Sequence, residues 1–192
     1  MTNEMHSYTA LELVALTPDE MRSIAAREAV NHLGFLKPEC ESMIVEQLSG
    51  AGFDRPDAGT TSRRKLEPQL TKEEKKALGL RANAFMSKAA LDDLTELGRA
   101  RPLNAHEQTV LRATFTMFRH RDVKQVMAAN LGKVFSGKFQ YDVLTKGCPV
   151  CDKLNGKKAK VEDVHILPPP GCTCETANYG LRTDVNWNKV FD

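Results

Sequence analysis

The chain has 192 residues, 41% of them hydrophobic and only 6% aromatic, enough for one modest globular unit with an aliphatic core. No run reaches the roughly 18 apolar residues that a membrane span needs, and the opening MTNEMHSYTALELVALTPDEM lacks the basic and apolar segments of a secretory signal. A soluble protein of a reducing compartment, with no membrane contact, is therefore expected, and in such a setting clustered cysteines serve metals more often than disulfides.

The net charge of +2 is unevenly spread. Residues 1–50 carry 3 basic and 8 acidic side chains, residues 51–146 carry 18 and 11, and residues 147–192 carry 6 and 6. The basic middle is either a solvated helical surface or a place where DNA or an acidic partner is met.

Along the chain, residues 1–52 read as an acidic helical hairpin. Thr17 as N-cap, Pro18 in the first turn and Glu20 as reciprocal partner open a helix whose stripe is Met21, Ile24, Ala25 and Ala29, ending at Gly34. A second helix starts near Pro38 and presents Met43, Ile44 and Leu48. Cys40, alone on it, reads as a small buried hydrophobe. The pair loosely resembles the SAP and helix-extended-helix DNA-binding modules in pattern, without their basic residues; a helical hairpin for packing fits the same letters.

Residues 53–70, rich in breakers and poor in apolar residues, read as a linker. Residues 71–138 read as a basic helical bundle. Thr71 and Glu74 form a capping box. The segment RANAFMSKAALDDLTELG reads as a helix burying Phe85, Met86, Ala89, Leu94 and Leu97 and stopping at Gly98. Asn104 and Glu107 cap the next one. Its expected face is Val110, Leu111, Phe115 and Phe118, continued by Val123, Val126, Met127 and Leu131 after a break near His120. His106 and His120 read as exposed. Arg63, Arg64 and Lys65, with Arg119 and Arg121, are the residues placed to contact phosphates without base specificity.

Residues 139–192 differ in character. KFQYDVL and KAKVEDVHIL suggest strands, and Asn155-Gly156 suggests a type I′ hairpin turn. Between and after them come Cys148-Pro-Val-Cys151 and Cys172-Thr-Cys174. Two thiolates three residues apart can grip one ion from a tight turn, and four complete the soft tetrahedral set that zinc favours. Two disulfides, or four unligated thiols, are the alternatives, and His165 is a further available ligand. Pro168, Pro169 and Pro170 stiffen the approach to the second pair. The expected fold class is α+β, mainly helical, with a small C-terminal β-hairpin module that zinc stabilises in place of a core.

Over residues 125–176 the chain resembles the C-terminal module of Mu F-like phage head morphogenesis (minor head) proteins. The matching residues are Cys148, Pro149, Cys151, Leu154, Gly156, Lys157, the three prolines, Cys172 and Cys174, with AAN at 128–130 upstream. Gly171 stands where that family carries a histidine. The resemblance implies a zinc-binding structural or interaction protein of a head or virion. Other phage proteins would be its partners, in the bacterial host cytoplasm or the particle. The same stretch also resembles an HNH endonuclease. That implies His165 as the base that activates water, Asn178 orienting the loop, Asn186 or Asn188 in the last position, and a divalent ion on the scissile phosphate. In this chain Val164, not an acid, precedes His165.

Overall fold

The computed structural model describes residues 8–50, 63–129 and 134–189. Most of the expected linker (53–62), together with Asn130 and Leu131, lies outside them. Helices α1 (Ala10–Ala15), α2 (Pro18–Leu33), α3 (Glu41–Gly50), α4 (Lys72–Ala77), α5 (Lys88–Asp92), α6 (Glu96–Arg99) and α7 (Ala105–Ala128) precede the C-terminal part. There strand β1 (Phe135–Val143), helix α8 (Pro149–Leu154), β2 (Lys158–Lys160) and β3 (Tyr179–Val185) follow one another. This is the α+β architecture expected: helices first, then a small antiparallel sheet in the order β2-β1-β3.

Local chemistry sets several boundaries. Thr9 with Glu12, Thr17 with Glu20 and Thr71 with Glu74 form complete capping boxes at the starts of α1, α2 and α4. In each, the hydroxyl and the carboxylate satisfy backbone N–H groups that the first helical turn leaves without partners. Gly34, at φ 61°, ends α2 in the left-handed conformation that glycine adopts without strain. The α2 face of Met21, Ala25, Ala26 and Ala29 is fully buried in a core shared with Ala113, Met117 and Val123 of α7. That core also takes in Leu13 of α1, Ile44 of α3, and Phe139, Val164, Ile166 and Leu167 of the C-terminal part, so the sheet and the proline arm lie against the helices.

The middle departs from the sequence reading in three ways. First, residues 81–98 form two short helices, α5 and α6, and not one. Met86 and Leu94 are buried, whereas Phe85 and Leu97 are 54% and 55% exposed. The hydroxyls of Ser87 and Thr95 each cap a new helix start, which explains the interruption. Gly98 lies within α6 for a packing reason: a Cβ there would stand 2.0 Å from the carbonyl oxygen of Phe35. Second, α7 runs without a break through His120, and Asn104 makes no side-chain cap. Third, α7 presents a different face inward. Leu111 is 39% exposed, while Thr109, Arg112, Thr116, Arg119, His106 and His120 are buried. Thr109 donates to the carbonyl of Ala105 at 2.8 Å, and His120 Nε2 meets the carbonyl of Leu13 at 3.0 Å. Polar side chains with such partners can be buried at little cost, and this hides the core face from a reading of apolar periodicity.

Residues 63–70, assigned to a linker from sequence, are held against α5. Arg63 pairs with Asp93 at 2.8 Å, and the Ser87 hydroxyl donates to the Arg63 carbonyl at 2.8 Å. In the C-terminal part only Lys158–Lys160 of the second expected strand is a strand; a short 3₁₀ turn, Val161–Asp163, and an irregular arm follow. The turn at Asn155-Gly156 is also of another type. Asn155 at φ −52°, ψ 129° followed by Gly156 at φ 72° is type II, closed by Lys157 N–H to Leu154 O at 2.9 Å. Type I′ suits a two-strand hairpin, whereas this turn leads from α8 into β2.

Candidate metal centre

Cys148 is the N-cap residue of α8, Pro149 occupies its first position, and Cys151 follows one turn later. Proline fits there because the first helical N–H needs no partner, and the three-residue spacing puts both sulfurs on one side of the helix. The second pair arrives on the arm. Cys172 donates its N–H to the Pro169 carbonyl at 3.0 Å, and Gly171 at φ 76° makes the preceding turn. All four sulfurs lie within 4.8 Å of one another and all four residues are buried. Cys151 Sγ is 3.6 Å from Cys172 Sγ and 3.7 Å from Cys174 Sγ. A tetrahedral thiolate set with metal–sulfur bonds of about 2.3 Å has sulfurs about 3.8 Å apart. A disulfide needs about 2.05 Å, and all five cysteines are free thiols. The donor set fits one metal ion.

Backbone N–H groups supply the surrounding electrostatics. Thr173 N–H donates to Cys148 Sγ at 3.4 Å and Cys148 N–H to Cys174 Sγ at 3.2 Å. Burial opposes ionisation of Cys148, but N–H donors from Cys151, Thr173 and Val150 outweigh it and bring its thiol down to about 5. Burial is the main cause that raises Cys151 and takes Cys172 up to about 11, and the negative charge of neighbouring thiolates adds to it in both. A divalent cation removes that conflict.

The arm at residues 161–174 is fixed by side chains outside the cysteine motif. The Tyr179 hydroxyl donates to the carbonyls of His165 and Leu167 at 2.8 and 2.9 Å. His165 N–H donates to the Tyr141 hydroxyl at 2.7 Å. Arg119 donates through Nε to the Ile166 carbonyl at 2.8 Å and stacks on the Tyr179 ring at 4.5 Å. Arg112, wholly buried in α7, pairs with Glu28 of α2 and also donates to the Cys174 carbonyl. Sequence reasoning missed Glu28, Arg112, Tyr141 and Tyr179. One signal was available: Glu28 lies seven residues after Met21 and three after Ala25, an acid on the apolar face of its helix.

The other singled-out residues do not converge. Asn178 lies just before β3 and Asn188 in the turn beyond its far end, about 20 Å away along a seven-residue strand. Asn186 N–H donates to the Val134 carbonyl at 2.6 Å. Among the basic residues, Arg119 is buried, which corrects its placement on the surface. Arg63 and Arg64 pair with Asp93 and Glu107, and Arg121 pairs with Asp122 and lies over Phe118. Lys65 stands 5.8 Å from the Phe85 ring. From Glu107 to Arg121 is about 21 Å of helix, so these cations form no single patch. Cys40 is buried, with Sγ 3.8 Å from the Asp93 carbonyl, as a lone apolar thiol should be.

No family model, no curated protein and no solved structure matches the chain.

Proposed function

We propose that the protein binds one zinc ion through Cys148, Cys151, Cys172 and Cys174, and that the ion serves structure. The observation that carries this reading is the convergence of four buried sulfurs at spacings suited to a tetrahedral ion. Four thiolates close the coordination sphere and leave no position for water or substrate. When bound, the ion would tie α8 to the irregular arm that follows β2. The residues of the chain do the rest: backbone N–H groups steady the sulfurs, and Tyr141, Tyr179 and Arg119 hold the arm. The role that follows is a structural or interaction component. Phage head or virion assembly is the specific setting, because the resemblance to Mu F-like head proteins rests on the same four cysteines and the proline run.

Elemental analysis of protein purified without chelator should give about one zinc per chain. Zinc-free protein with alkylatable thiols at all four positions would refute the reading. Incubation with DNA and Mg²⁺ or Mn²⁺ should leave the DNA intact; nicking that His165→Ala abolishes would establish a nuclease instead. Co-sedimentation with assembling heads tests the setting.

A further inference from the structure

Arg112 and Glu28 are 0% and 4% exposed, and neither belongs to the cysteine module. Glu28 comes from α2, Arg112 from α7. The pair is bidentate: Nε reaches the two carboxylate oxygens at 3.2 and 3.0 Å, and Nη2 reaches Oε1 at 2.7 Å. The remaining arm of the guanidinium, Nη1, donates to the backbone carbonyl of Cys174. A buried ion pair is a poor device for stability alone, since apolar residues of the same volume do as well or better. What apolar residues cannot do is deliver a directed N–H to a buried carbonyl. The Cys174 carbonyl lies in a segment without a strand or helix partner, on the residue that supplies one of the four sulfurs.

We propose that Arg112, oriented by Glu28, is a positioning residue of the metal centre that couples metal occupancy to the packing of α2 against α7. This rests on the zinc reading. With the ion in place, Cys174 is fixed from both sides, by its sulfur and by its carbonyl. Without the ion, the Cys172–Cys174 arm loses its anchor and the guanidinium loses an acceptor that nothing else replaces. The consequence runs into the helices, because a buried cation with one partner fewer disturbs the pair that joins them.

The test uses the full chain loaded with zinc and a chromogenic chelator that reports zinc release. Removing an outer partner of a metal ligand costs 10- to 100-fold in affinity, so Arg112→Met should release zinc at least about tenfold faster than wild type. Arg112→Lys, which keeps the charge but not the fork, should fall between. Met86→Ala, a core change in the separate cluster of Leu70, Met86 and Ala90 that includes no residue of the arm, controls for simple destabilisation and should alter release by less than about threefold if the effect is positional. Equal rates for Arg112→Met and wild type would overturn the proposal while leaving the zinc reading intact. Wild type that holds no zinc would remove both. A second measurement needs no variant to fold. Stripping zinc from wild type should speed amide exchange around Glu28 in α2 and Arg112 in α7; a change confined to residues 148–178 would overturn the coupling.

Discussion

The cysteine module and the basic middle make an instructive pair. Each attracted notice through residue type: four cysteines in one, five cations in the other. The structure gathers the cysteines into a cluster with sulfurs within 4.8 Å, and it scatters the cations among separate ion pairs and a buried site. The difference is one of constraint. Cysteine is scarce, and two close pairs of them limit the backbone to a few arrangements. Arginine has many uses, and several of those among the described residues bind groups of the chain itself, including Arg63 to Asp93, Arg64 to Glu107, Arg112 to Glu28 and Arg119 to Ile166. A count of basic residues by segment therefore overstates the charge available to a polyanion.

The sharpest way to break this comparison is at Cys151, the only one of the four sulfur-bearing residues with no exposed surface. Cys151→Ser should lose the ion, unfold the arm and cost more than about 4 kcal/mol, the range reserved for loss of a structural metal or a similar core element. Zinc content and thermal melting report it together. A variant that keeps its zinc and melts as wild type would mean that the cluster is not a metal centre.

A smaller effect is expected at Gly98, where the helical middle depends on a close backbone approach. Gly98→Ala places a methyl group against the Phe35 carbonyl and the Leu94 side chain. Rigid backbone on one side leaves little room to relax, and about 2 kcal/mol of destabilisation is expected. Denaturant unfolding measures it, and zinc content should stay unchanged. Nothing in the sequence announces this glycine as a packing residue: its position beside Thr95 and Leu97 reads equally well as a helix stop.

The same contrast explains what was legible. Capping boxes were legible because they are local: Thr17 with Glu20 and Thr71 with Glu74 each need only four residues of sequence. The α+β division was legible because the strand-like runs KFQYDVL and KAKVEDVHIL come only after Gly137. The inner face of α7 was not, since its Thr109, Thr116 and His120 find partners within the helix or on α1, and periodicity of apolar residues is blind to that. Strand β3 was also missed, although Tyr179, Leu181, Thr183 and Val185 alternate in the manner of a half-buried strand.

Arg119 sharpens the comparison from the other side, because sequence offered it as a phosphate contact. Arg119→Met keeps most of the volume against Tyr179 but leaves the buried Ile166 carbonyl without its donor. A loss of about 2 kcal/mol is expected, with no change in DNA affinity beyond that of a control. Anisotropy titration with duplex DNA at low salt, set beside a melting curve, separates the two roles. A large fall in DNA binding with unchanged stability would return Arg119 to the surface.

The smallest expected effect is a slope of stability with pH, and it comes from the two histidines that sequence placed at the surface. His106 is held low chiefly by burial, opposed by its bond to Asp93 and reinforced by Arg63 and Arg64. His120 is held low by burial and by Lys124, opposed by its bond to the Leu13 carbonyl. Both therefore have folded values below the unfolded value of about 6.5. As pH falls through about 6.5, the unfolded chain takes up protons that the folded chain refuses, so stability is full above that pH and declines below it. Thiolate protonation would release a bound metal in the same direction, so the slope alone does not identify its source. Replacing both histidines with glutamine removes their protons from the balance without touching the cysteines. The double variant should start less stable at pH 8 and lose less on going to pH 6 than the wild type does. Equal losses in the two proteins would mean that the histidines are solvated after all and that the metal centre alone sets the pH response.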